Sequence, residues 1–180
     1  EILEGLSACD LRAACTNALI AHPLGILHGV DHLWTGKVER IDVEMCHKLL
    51  DNDIIPVLPP LGFDGDGKTY RVNSDSIAVA VAEALKAVKL MFITIHDGIV
   101  VRDRVIRQMP VADLESVLAL QSNDVHPDMV SKAVHALAAC KAGVPRVHVI
   151  NGSLEEGLLA EVFTNEGVGT LVYANEFQQI

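Results

Sequence analysis

The sequence predicts an α/β protein with a largely parallel sheet. Three observations lead there. Helix-like and strand-like segments alternate along most of the 180 residues. The apolar runs at 54–58, 90–94 and 147–150 read as buried strands. A hydrophobic content of 50% over this length suffices for one domain with a substantial core.

The elements follow in chain order. Residues 1–21 open without a glycine-rich strand-to-helix turn. Val43, Met45, Cys46, Leu49 and Leu50 recur at helical spacing over 42–50, and Asp51-Asn52-Asp53 ends that helix. The strand at 54–58 stops at Pro59-Pro60; 62–67 is a polar turn, and Thr69 begins an extended return. Asn73-Ser74-Asp75 opens a helix with Ile77, Val81 and Leu85 on one face. After the strand at 90–94, charge interrupts 104–109 and Pro110 terminates it, the marks of an edge strand. Pro127 suits the first position of a helix running to Lys141, with Gly143 as the stop and Val130, Val134 and Leu137 as the core-facing stripe. A strand at 147–150, a helix at 154–163 and a strand at 170–173 complete the chain. No internal repeat or low-complexity linker breaks it into parts.

Bulk chemistry excludes several partners. Only 21% of residues are charged and the net charge is -10, so no basic footprint for nucleic acid or anionic lipid is present. The apolar runs are too short to span a bilayer and no signal peptide opens the chain, so a cytoplasmic protein is expected. Cys9, Cys15, Cys46 and Cys140 are scattered with no C-x-x-C pair, and are expected to be reduced and mostly buried. His28 and His32 have the four-residue spacing of paired helix ligands, but Gly29 lies between them and no third ligand is placed, so no metal is expected.

Five stretches occur in a telling order: Ile55-Pro56-Val57, Arg71-Val72-Asn73-Ser74-Asp75, Lys89-Leu90-Met91-Phe92-Ile93-Thr94, Met129-Val130-Ser131-Lys132 and Gly167-Val168-Gly169-Thr170. Their order and spacing over roughly residues 36–173 resemble the N-acetylglutamate kinase family of the amino-acid kinase superfamily. The upstream run looks more like the synthase branch of that family, through His22-Pro23-Leu24-Gly25, Gly29-Val30-Asp31, Thr35-Gly36 and Val38-Glu39-Arg40-Ile41-Asp42. The chain also ends at Glu176-Phe177-Gln178-Gln179-Ile180, near where a synthase continues into its acetyltransferase domain.

The resemblance implies a three-layer α/β/α amino-acid kinase-like fold that lacks its N-terminal glycine-rich portion. It implies a single domain over 1–180, part of a longer protein with the acetyltransferase domain beyond Ile180. Acetyl-CoA then serves the parent synthase, and this chain needs no cofactor of its own. Asp75 and Lys132 occupy the positions of the kinases' phosphate-organising aspartate and lysine. Phosphoryl transfer depends on such charge positioning. Departures argue for a vestigial kinase: Arg71 stands where a substrate-binding asparagine is usual, beside Asn73 in the substrate pocket; Ile95 stands where a nucleotide-side aspartate is usual; Asp128 replaces a glycine. Mg-ATP enters only if the kinase alternative holds.

In members that respond to L-arginine, a glutamate and a glycine six residues later line the effector pocket; Glu161 and Gly167 fit, and His148 matches a further position. A carboxylate can pair with a cationic amino acid, and a glycine permits close backbone approach. The resemblance therefore implies L-arginine as allosteric ligand and a homo-oligomer. Simpler readings stand beside these: Asp75 as an acid stabilised at a helix N-terminus, Lys132 as a solvated lysine, Glu161 as an exposed helix residue, His148 as a core histidine, and Gly167 and Gly169 as turn residues. A structural oligomerisation domain that binds no ligand is the third alternative.

Overall fold

The computed structural model describes residues 1–120, 124–163 and 167–174. The terminal run Glu176 to Ile180, used above as a marker of the synthase branch, lies outside the described residues. The chain forms two compact units, Glu1–Ala84 and Leu85–Ile180.

The first unit starts with α1 (Ile2–Ala8) and β1 (Ala13–Cys15), then β2 (Leu19–Pro23), β3 (Ile26–Leu27), β4 (Val30–Asp31) and β5 (Gly36–Ile41). It continues through α2 (Val43–Leu50), β6 (Ile55–Val57), β7 (Leu61–Phe63), β8 (Thr69–Arg71) and α3 (Ser74–Ala84). A four-stranded sheet has the order β5-β2-β7-β8, antiparallel at both ends and parallel at the single β2–β7 pairing of Ile20 with Phe63. β1 and β6 pair in parallel, and β3 with β4 makes a small hairpin. Caps behave as the sequence suggests: Asp42 accepts the Met45 amide at 2.9 Å to open α2, and Asn73 accepts the Ser76 amide at 3.0 Å to open α3. The apolar interior is made of Ala18, Leu19, Ala21, Ile41, Cys46, Tyr70, Val72, Ile77 and Ala82.

The second unit holds β9 (Leu90–Thr94), β10 (Val100–Val101), β11 (Arg104–Val105), β12 (Gln108–Pro110), α4 (Val111–Leu120), α5 (Pro127–Lys141), β13 (Arg146–Asn151), α6 (Gly157–Phe163) and β14 (Thr170–Tyr173). Its sheet runs β12-β14-β13-β9, parallel, antiparallel and parallel in turn. Central β13 is buried from Val147 to Ile150, as expected of a strand covered on both faces. The α/β class therefore stands, with mixed sheets. β10 and β11 are joined by Arg102 and Asp103, both at positive φ, as a tight two-residue hairpin turn requires.

Several local expectations change. The core face of α5 is Met129, Ala133, Ala136, Ala139 and Cys140; Val134 is 45% exposed, so the Val130–Val134–Leu137 stripe is not the face that packs. Alanines let the helix sit close to the sheet, which favours the small-residue face over the more hydrophobic one. Leu61–Phe63 is a strand of its own, so the turn before Thr69 is shorter than 62–67. The segment 104–109 divides into β11 and β12, and β12 lies at the sheet edge with Pro110 inside it. Helix α4 had no counterpart in the sequence reading. Of the cysteines, Cys46 and Cys140 are buried whereas Cys9 and Cys15 are exposed. Burial pushes the Cys140 thiol up to about 11. No helix among the described residues is long and apolar enough to cross a membrane.

Candidate functional site

The second unit brings together three residues that the sequence singles out. Glu161, on α6, is 6% exposed, and His148, on β13, is 5% exposed. The reading of Glu161 as an exposed helix residue is thereby removed. A buried carboxylate is tolerable only with donors around it, and this one has three. Oε1 is 2.7 Å from His148 Nδ1. Oε2 accepts the Val168 amide at 2.6 Å and the Gly169 amide at 2.9 Å. Burial pushes the carboxyl's pKa up, but the hydrogen bonds from His148, Gly169 and Val168 outweigh it and hold the group below the ordinary carboxylate range. Glu161 is thus an anion that fixes the backbone entering β14.

The two glycines of that backbone differ in what they permit. Gly167 has φ +55, and a Cβ there would lie 2.9 Å from Glu161 Oε2. The left-handed conformation and the approaching carboxylate both select glycine. At Gly169 a Cβ would meet the Val149 carbonyl oxygen at 2.3 Å. That neighbour is backbone and cannot swing away, so Gly169 is the stricter requirement. The sequence offers Gly169 as a member of the family-like stretch and as a turn residue; its amide and that of Val168 are donors to Glu161. The Gly-Val-Gly-Thr run is the signal that points to them.

An ionised carboxylate only accepts, so His148 Nδ1 carries the proton of the shared bond. Its Nε2 is buried without a hydrogen-bond partner among the described residues; it accepts when the ring is neutral and donates when the ring is protonated. A carboxylate offers about four lone-pair directions. The three bonds above leave one acceptor direction on Oε1. With a neutral His148 ring the clasp presents acceptors and no spare donor, a composition suited to a group rich in N–H.

The kinase-like positions are divided between the units. Asp75 lies in the first turn of α3 at 7% exposure, Asn73 caps the same helix, and Arg71 is an exposed residue of β8 whose amide donates to the Trp34 carbonyl at 2.8 Å. Lys132, in the second unit, is half-buried with Nζ 5.6 Å from the centre of the Phe92 ring. A cation over an aromatic face is held more firmly than a solvated lysine. Ile95 is 79% exposed and supplies no polar group to the end of β9.

His28 and His32 do not share a helix. His28 has φ 50 and sits in the turn of the β3–β4 hairpin, so the four-residue spacing carries no common face. Among the described residues, His96, His126 and Asp128 do present ligand atoms close together. His96 and His126 come from distant loops, which no local spacing reveals.

The first unit has an open cleft of about 530 Å³ walled by Arg12, Asp42, Glu44, Lys48 and Asn52. Its polar groups are committed to one another: Lys48 pairs with Glu44 at 2.5 Å, Arg12 donates to the Asn52 carbonyl, and Asp42 caps α2.

Comparison with known proteins places the chain in a family. An acetylglutamate kinase of Methanospirillum hungatei is 42% identical over 145 residues, which cover 79% of this chain and 49% of that protein. The chain spans about half the length of the curated relatives it matches. The structure of N-acetylglutamate synthase from Neisseria gonorrhoeae complexed with coenzyme A and N-acetyl-glutamate superposes with a TM-score of 0.88 at 29% identity, covering 97% of this chain and 40% of that one. The same synthase complexed with coenzyme A and L-arginine gives 0.86 at 30% identity, over 93% of this chain and 39% of that one. The amino acid kinase family profile matches residues 4–151, and with the α/β fold and the ordered motifs this chain belongs to the amino acid kinase family.

Proposed function

We propose that this chain is the arginine-sensing, kinase-like part of an N-acetylglutamate synthase, the enzyme that transfers acetyl from acetyl-CoA to L-glutamate at the start of arginine biosynthesis. The observation that carries the reading is the buried Glu161 carboxylate, with an acceptor direction left on Oε1, beside the unpartnered His148 Nε2 and the Gly167 turn. A guanidinium has five N–H donors and no acceptor, so it complements such a carboxylate. Supporting this, a synthase of similar fold has been crystallised with L-arginine. In this reading acetyl-CoA belongs to a separate acetyltransferase domain, and the protein is a cytoplasmic homo-oligomer.

Glu161 links the ligand to the backbone. Arginine that engages Oε1 acts on the carboxylate whose other oxygen holds Val168 and Gly169. Two arrangements of that turn, differing in affinity for arginine, supply the coupling free energy that allosteric control needs.

Calorimetry with L-arginine tests the reading. Saturable binding is expected, lost in Glu161→Gln and His148→Phe variants whose circular dichroism matches the parent. A flat titration of the parent protein, or unchanged affinity in both variants, overturns it.

The second reading is an acetylglutamate kinase, favoured by the 42% identity to a protein of that name. Asp75 then organises Mg-ATP phosphates and Lys132 offsets charge. Arg71 and Ile95 weigh against it, since neither provides the polar acceptor that the resemblance calls for. ADP release dependent on N-acetylglutamate, and abolished in Lys132→Ala, distinguishes this reading.

A further inference from the structure

We propose that His96, His126 and Asp128 form a site for a divalent transition-metal ion of the zinc type, with three protein ligands and a fourth position open to water or a small anion. One ligand atom from each of the three lies within 4.8 Å of the others. Two shorter separations radiate from Asp128 Oδ2: 3.4 Å to His96 Nε2 and 3.9 Å to His126 Nδ1. Ligand atoms about 2.0–2.1 Å from a tetrahedral ion stand roughly 3.3 Å apart, so small side-chain rotations bring all three into the coordination sphere.

The backbone holds the three residues in place and engages one of their ligand atoms, His126 Nδ1, only weakly. His96 follows β9, where its amide donates to Thr94 Oγ1 at 3.3 Å. The next residue, Asp97, accepts Asn151 Nδ2 at 2.8 Å, which ties the loop to the end of β13. His126 is fixed by its amide bond to the Val100 carbonyl at 3.0 Å and is the N-cap of α5, and Asp128 lies in the first turn of that helix. The cap contact from the Asp128 amide to His126 Nδ1 spans 3.4 Å, a weak bond that coordination displaces readily. The imidazole centroids are 5.1 Å apart with planes tilted by 49°, so the rings converge without stacking face to face.

Access and chemistry agree. The side chains of His96, His126 and Asp128 are 25%, 42% and 67% exposed, so an ion enters from solvent with no backbone movement. Asp124, two residues before His126, is paired with Arg102 at 2.8 Å and does not compete. Two imidazoles and one carboxylate suit zinc, nickel, copper or iron, whereas magnesium seeks oxygen ligands and retains its water. The site is therefore distinct in chemistry from any Mg-nucleotide site, and in residues from the Glu161 clasp.

Titration of the purified protein with Zn2+ against a chromophoric chelator, and with Co2+ followed by visible absorption, tests the proposal. One equivalent of Zn2+ is expected, together with a Co2+ spectrum of a four-coordinate mixed nitrogen–oxygen site. His96→Ala and Asp128→Asn should each weaken Zn2+ binding by at least about tenfold, while a His28→Ala/His32→Ala double variant should bind as the parent does. Unfolding curves of the metal-free variants exclude a folding defect. Failure to bind Zn2+, or binding that survives both His96→Ala and Asp128→Asn, overturns the proposal.

Discussion

Two histidine–carboxylate pairs in the second unit are made of similar parts and behave differently. In the clasp, His148 and Glu161 are 2.7 Å apart with side chains 6% and 3% exposed; at the start of α5, His96 and Asp128 are 3.4 Å apart with side chains 25% and 67% exposed. Burial makes the difference. The dry pair must satisfy its charge internally, so it recruits two backbone amides and fixes a turn. The wet pair shares its charge with water, keeps coordination directions open and can exchange partners. The dry clasp thus fits the proposed reading of a ligand through the backbone, and the exposed cluster the proposed uptake of an ion.

The contrast is sharpest in Glu161→Ala, which leaves His148 and two amides without their acceptor. Breaking a buried pair in this way should cost about 3–5 kcal/mol, read from urea unfolding at pH 7. A loss below about 1 kcal/mol would place the clasp in the same class as a surface pair and erase the distinction.

Acid should act on the same contact. Because the folded-state pKa of Glu161 lies below its ordinary value of 4.5, its contribution is complete above that value and is lost as pH falls through the lowered folded value. The stability gap between the parent and Glu161→Gln is expected to be wide at pH 7 and to narrow below pH 4.5. Denaturation at a series of pH values measures it; a constant gap would show that the carboxylate charge is not what holds the turn.

Smaller losses separate the two glycines. Gly169→Ala drives a methyl into the Val149 carbonyl and should cost about 1–3 kcal/mol. Gly167→Ala meets a side-chain carboxylate and a left-handed backbone, and should cost about 1 kcal/mol. Thermal melts of both variants give the order, and the reverse order would mean that Glu161, not the strand backbone, sets the limit. Smallest of all is Asp128→Asn in metal-free protein, expected within about 1 kcal/mol of the parent because its ion pairs are exposed. A larger loss would show the cluster to be structural even without an ion.

The parts legible in the sequence are those with local causes. Pro127 and Gly143 bracket α5 because proline fits a first helical turn and glycine, here at φ +99, ends one. The apolar runs of β9 and β14 were readable for a similar reason, as β-branched and aromatic residues favour strands. Helix α4 is not legible in the sequence because Pro110 reads as a terminator and Val111–Leu120 is apolar on more than one side, which blurs the helical period. Hydrophobicity favours Val130, Val134 and Leu137 as the packing face of α5, whereas the fit against the sheet selects Ala133, Ala136 and Ala139.

The site divides along the same line. Glu161, His148 and Gly167 were named through a family resemblance, and no spacing rule places a strand residue against a helix residue. The donors at Val168 and Gly169, the unpartnered His148 Nε2 and the meeting of His96 with Asp128 depend on how β13, α6, β14 and α5 come together. What the sequence by itself determined is the α/β class, most element boundaries and the candidate residues, because propensities, caps and hydrophobic runs act over a few neighbours. Tertiary structure alone decided which helix face packs, which carboxylate is dry and which histidines converge, because burial and distance arise from segments far apart in the chain.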